Sequence, residues 1–252
     1  MTTTITSGAV LLTFVVFCRI AGCLMLMPGF GSPRIPFQVR LYIAVSTTLV
    51  LAPLIVPVFE ADLADAAPPQ ILQLIASETL VGATIGVMMR VFFLSLQFMG
   101  TAAAMLSGFG GMPDNALEES EPAPAVANIL TLTATVLLFA TGLHMEVLRG
   151  LVTSYSVIPV SELFDPRFAL GKITDAASDS FFLIAQLTAP FLVFSLIVNF
   201  LSGILNKMTP MIPVYFITMP FMVAGGLFIL FFTFSEALML FISGFQSFLE
   251  NG

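Results

Sequence analysis

The sequence is poor in charge. Charged residues make up 9% of the chain and only eight residues are basic, whereas a soluble domain carries about 25% charged residues. The net charge is −7 and the bases are scattered. A nucleic-acid partner is therefore not expected, because phosphate contact needs clustered Lys and Arg, and there is no polybasic patch for anionic lipid. Histidine is nearly absent: His144, near Glu146, stands alone. It has no cysteine nearby and no metal-ligand spacing, so it reads as an interfacial or hydrogen-bonded side chain. Cys18 and Cys23 are the only cysteines. Five residues apart on a helix they point in different directions, and both lie in an apolar run. They read as small buried apolar residues rather than a disulfide or metal site. No glycine-rich segment opens a helix with a lysine, so a phosphate-binding loop is missing. The expectation is a chain with no catalytic activity, no nucleotide hydrolysis, no metal and no cofactor.

What is present is apolar. Hydrophobic residues make up 58% of the 252, more than a soluble fold of this size hides, so the excess must face lipid or other subunits. The fold class expected is all-α, a multi-pass membrane-type protein of about six long apolar helices. The runs span residues 8–27, 39–59, 71–106, 126–148, 173–205 and 214–249. Twenty residues rise about 30 Å, enough to cross a bilayer core. The third and sixth runs would rise roughly 54 Å, so those helices must tilt, break or leave the lipid. Pro53, Pro57 and Pro190 lie inside runs, as membrane helices tolerate. The first run has no basic residue before it, is interrupted by Arg19 and lacks a small-x-small site after it, so it is expected to be retained rather than cleaved. A plain six-span arrangement puts Arg34, Arg40 and Lys207 on one side and Arg149, Arg167 and Lys172 on the other. The positive-inside rule does not decide between orientations when the two sides balance.

Arg19, Glu78, Arg90 and Glu236 each lie within a long apolar run. A charge in hydrocarbon costs several kcal/mol and marks a functional or inter-helix feature. Glu78 and Arg90 are separated by roughly 18 Å of helix rise, so they cannot pair with each other on one continuous helix. Either the four pair between helices or between subunits, or they line a proton or ion path. One histidine and no dense carboxylate cluster favour pairing. The least apolar stretch runs from Ser107 to Ala125. It opens with Gly108, Phe109, Gly110, Gly111 and Met112 and ends in Asp114, Glu118, Glu119 and Glu121. Glycines there permit turns closed to other residues. Met105 and Met112 flank Phe109, and adaptable methionines on such a loop suit an apolar seal.

At this point the residues resemble a known family. The stretch Arg19…Pro28-Gly29-Phe30-Gly31…Pro36…Arg40…Pro53 is similar to the amino-terminal signature of the FliR family. That family supplies the R subunit of the flagellar type III protein-export gate and is related to the T subunit of injectisomes. Glu78-x-x-x-Gly82-x-x-x-Gly86 and Gly100 fit its third segment, Gly142-x-His144 its fourth and Pro159 the following connector. Asn199, Asn206-Lys207…Pro210, Phe216 and Pro220 fit its carboxy-terminal hairpin. The resemblance spans nearly the whole chain. One departure stands out: Met211 and Pro213 occupy positions where the family usually carries Gln and Asn.

The resemblance implies a single export-gate domain over residues 1–252. Residues 1–172 would form a part like the P subunit, and 173–252 a helical hairpin like the Q subunit. It implies assembly with P and Q subunits, work beside the B and A export subunits, and passage of unfolded flagellar proteins. It also implies a plug loop, here Ser107 to about Asp114, and a place in the bacterial inner membrane at the flagellar basal body. Three other readings remain open: an injectisome T subunit, a secondary transporter of small solutes, and a structural subunit whose loop gates nothing.

Overall fold

The computed structural model describes residues 7–32, 35–63, 68–108, 125–160, 162–209, 211 and 214–251. Among the described residues there are seven helices and no strand: α1 (Ser7–Leu26), α2 (Phe37–Leu63), α3 (Pro68–Leu106), α4 (Ala125–Ala140), α5 (Leu143–Val157), α6 (Pro166–Met208) and α7 (Val214–Asn251). Five are long and apolar enough to cross a membrane, and the count rises to six if α4 and α5 are taken as one broken span. The expected all-α, multi-pass fold is the observed one.

Local chemistry explains the boundaries. α6 begins on proline, whose missing N–H is not needed in a first turn. Asp165 caps it, its Oδ1 accepting from the backbone N–H of Arg167 at 2.8 Å. Two segments therefore differ from expectation. The run from 126 to 148 is not one helix: the chain turns at Thr141–Gly142, where Gly142 adopts φ 77, a left-handed conformation that glycine enters without penalty. The stretch between the fourth and fifth apolar runs, residues 149–172, is largely helical, with α5 ending at Val157 and α6 starting at Pro166. α6 also continues past the end of the fifth run at residue 205, through Asn206 and Lys207.

Many threonines stay inside these apolar helices by donating back to the carbonyl four residues earlier. Examples are Thr13 to Ala9 at 2.8 Å, Thr48 to Ala44 at 2.7 Å and Thr233 to Ile229 at 2.8 Å. The hydroxyl is then satisfied without a partner on another helix, which a non-aqueous surrounding demands.

The chain forms two compact units. The first comprises Met1–Val91, Gly142–Ala177 and Leu249–Gly252; the second comprises Phe92–Thr141 and Ser178–Phe248. In the first, α1 packs on α2 and α3, burying Val15, Val16, Ile20 and Cys23. α5 contributes Leu143, Val147, Leu151 and Tyr155, a buried stripe at every fourth residue. In the second, Phe92 and Phe93 of α3 meet Phe241 and Phe245 of α7, with Phe93 edge-on to Phe241 at 5.0 Å between centroids. Edge-to-face rings at this separation place a positive ring edge on a negative face.

Candidate functional site

The most polar buried point of the first unit is built around Arg19. Its guanidinium is completely buried and the Glu78 side chain is 1% exposed. Nε donates to Glu78 Oε2 and Nη2 to Oε1, both at 2.7 Å. This is the fork geometry that makes Arg–carboxylate pairs strong and directional. Nη2 also donates to the Ile158 carbonyl at 2.9 Å, and Nη1 to Ser154 Oγ at 3.1 Å. Four of about five available N–H groups are thus used. The guanidinium carbon lies 3.9 Å from the Tyr155 ring centroid, a cation–π contact. A buried charge left unpaired is expensive, so the cluster ties α1, α3 and the end of α5 to one register.

Glycine permits the approach that this needs. A Cβ on Gly82 would overlap the Arg19 carbonyl, one on Gly22 would sit 2.7 Å from the Thr79 carbonyl oxygen, and one on Gly86 would sit 2.7 Å from that of Cys23. α1 and α3 therefore cross at backbone contact, the small-residue packing that membrane helices favour. Nearby, Ser77 Oγ accepts from the Phe164 N–H at 2.7 Å, holding the segment before α6 against α3.

Of the four ionisable residues singled out in the sequence, Arg19 and Glu78 are brought together. Arg90 and Glu236 are both exposed, and among the described residues neither has an ion pair or side-chain hydrogen bond. His144 lies in the first turn of α5, while Glu146 pairs with Arg149 at 2.7 Å on an exposed surface, a bond worth little. Cys18 and Cys23 are buried free thiols. Ser154, Tyr155 and Ile158 were missed as partners of Arg19. The signal for them was available, since Leu143, Val147, Leu151 and Tyr155 repeat at helical spacing past the end of the fourth apolar run at residue 148.

Of the expected loop, Gly108 is described, while Phe109, Gly110, Gly111 and Met112 lie outside the described residues. Gly108 has φ 85, a left-handed conformation ending α3 as a helix C-cap does. The loop's root is held within the second unit. Ser107 is fully buried against Gly226 of α7, where a Cβ would collide with the serine side chain. A Cβ on Gly108 would stand 3.7 Å from that of Met222. Met105, the preceding exposed side chain, is 63% accessible. Met211 is 95% exposed beyond the end of α6, and Pro213 lies outside the described residues.

Residues 10–248 match the family described as bacterial export proteins, family 1. The chain is 29% identical over 253 residues to the flagellar biosynthetic protein FliR of Caulobacter vibrioides, covering 97% of each chain. It is 25% identical over 244 residues to the FliR protein of Aquifex aeolicus, covering 90% of this chain and 86% of that one. With the FliR protein of Escherichia coli it shares 24% identity over 215 residues, 83% of this chain and 78% of the relative. Family coverage from the first membrane helix to the last, over several long apolar helices, means that the chain belongs to the FliR family of bacterial export proteins and is a multi-pass inner-membrane component of the flagellar export apparatus.

Proposed function

We propose that this chain is the R subunit of a flagellar export gate, assembling with P and Q subunits to form and plug the passage for unfolded flagellar proteins. In this reading the B and A export subunits stand beside it and supply substrate selection and energy coupling. Residues 1–172 act as the P-like part and 173–252 as the Q-like hairpin. The single observation that carries the assembly is the exposed apolar surface of α6 and α7. Phe182 on α6 and Phe231 on α7 are 77% and 78% accessible, among many others. Apolar area of that extent signals burial by lipid or sister chains. Helices of 43 and 38 residues are longer than the roughly 20 residues a bilayer core covers, which favours sister chains for part of each.

The plug is assigned to the segment that starts at Gly108 and runs through Met112. Support comes from its root: Ser107 is fixed against Gly226, so the segment beyond it has a defined starting point and glycines with which to fold back. In the closed state the loop packs on methionines of neighbouring subunits, and opening swings it aside for an extended chain. Deleting residues 108–112 is expected to leave assembly intact and make the membrane permeable to ions, measured as a fall in membrane potential and as growth sensitivity to small solutes. An assembled deletion mutant with an unaltered seal overturns the plug assignment. Purification in mild detergent tests the assembly: a stable monomer overturns it, and isolation with P and Q subunits supports it.

A further inference from the structure

Within the second unit α3 meets α7 twice. One meeting is the phenylalanine cluster at Phe92 and Phe93. The other lies about 21 Å of helix rise further on, at the end of α3. There Ser107 is fully buried, and a Cβ on Gly226 would overlap its side chain. One residue earlier, a Cβ on Gly225 would overlap the Phe194 ring of α6. Adjacent glycines thus open two faces of α7, and α3 fills one while α6 fills the other. Gly108 follows at once in its left-handed conformation, over Met222 and Val223.

This second meeting is made by fit and not by bonding. Ser107 Oγ is buried with no hydrogen-bond partner among the described residues, and a stranded hydroxyl counts against the state that buries it. The Arg19 junction of the first unit, by contrast, carries four hydrogen bonds. α7 is also weakest here. Pro220 lacks the N–H that would bond the carbonyl four residues earlier. Gly225 and Gly226 are the poorest helix formers after proline. Helices bend at such positions. A bend of α7 over residues 220–226 carries Met222 and Gly226 away from Ser107, while the ring cluster at Phe241 and Phe245 stays in place.

We infer that residues 222–226 of α7 are a releasable seat for the end of α3, and that bending of α7 over residues 220–226 unseats it. The inference rests on the plug reading above and adds to it a control. While Ser107 is seated, the segment after Gly108 starts from a fixed point and closes the passage. Once Ser107 is unseated, that starting point moves and the passage opens. Both arrangements are packings of one joint, and its hinge is a short stretch of proline and glycine.

A disulfide tests the seat in the full chain in living cells. A Cβ on Gly108 would stand 3.7 Å from the Met222 Cβ, a separation at which two cysteines bond. The chain carrying Gly108→Cys and Met222→Cys is expected to link under a mild oxidant. Linking should cut export of flagellar proteins at least tenfold, and reduction should restore it. The Gly108→Cys chain, equally strained at the left-handed position, is the reference for both readouts. Gly226→Ala is expected to unseat Ser107 without oxidant and to raise ion leakage per assembled chain several-fold. Adding Ser107→Gly, which vacates the space the new methyl group needs, should restore the seal. A linked chain that exports at the reference rate overturns the seat. So does a cysteine pair that accumulates normally and does not link, or an assembled Gly226→Ala chain that stays sealed. The plug reading fails separately: a sealed deletion of residues 108–112 sinks the plug, whereas a leaky deletion beside any of these outcomes sinks the seat alone.

Discussion

The two units solve the same packing problem with different chemistry. The first is organised by a buried ion pair and by glycines that let α1 and α3 touch backbone to backbone. The second is organised by phenylalanine rings, with Phe92, Phe93, Phe241 and Phe245 in mutual contact. The difference lies in tolerance. Arg19 accepts one geometry, because each of its bonds has a direction and a missing partner leaves a charge unsatisfied. Ring clusters accept several, because dispersion is non-directional and a smaller apolar side chain loses only part of it. The first unit is thus built to hold one register. The second tolerates more than one packing, on the two helices proposed to meet other subunits.

Mutations that break this contrast should fall in a clear order. The largest effect is expected at Gly82: Gly82→Leu puts a side chain where the Arg19 carbonyl stands. The crossing cannot form, and immunoblotting of membranes should find essentially no chain. Normal accumulation would show that the close crossing is dispensable. Next, Arg19→Met strands the buried Glu78 carboxylate, at a cost of about 3–5 kcal/mol. Thermal melting in detergent and motility should both drop sharply. Combining Arg19→Met with Glu78→Leu should recover most of that stability, less the roughly 1 kcal/mol scale of each hydrogen bond that Ser154 and Ile158 lose. A double variant no better than the single one would mean that the pair's value is not electrostatic matching. The smallest effect is expected in the second unit, where Phe93→Leu keeps an apolar group in the ring cluster and should cost on the order of 1 kcal/mol. A loss as large as that of Arg19→Met would erase the proposed contrast.

How much was legible beforehand varies by residue. The long runs were readable because apolar length is a property of the chain alone, and α3 begins within three residues of expectation. The break between α4 and α5 was not seen, although Gly142 is in plain view in the sequence. A glycine inside an apolar run is common in membrane helices, and only its left-handed φ reveals a turn. Arg19 and Glu78 were both marked as costly, yet Arg19 and Glu78 are 59 residues apart and Arg19 and Ile158 are 139 apart. Nothing local encodes such pairings. Glu236 and Arg90 carried the same mark, and the fold leaves both exposed.

By itself the sequence determined class and address: continuous apolar runs of 20 residues and more, with so few charges, fit membrane helices, in which every backbone polar group is satisfied within its own segment. It also marked which few ionisable residues would be too costly to stand alone. Only the tertiary structure decided that Arg19 meets Glu78 across a glycine crossing while Glu236 faces outward from α7. Burial cost is a property of one residue and can be read along the chain, whereas its compensation depends on which distant helix arrives beside it.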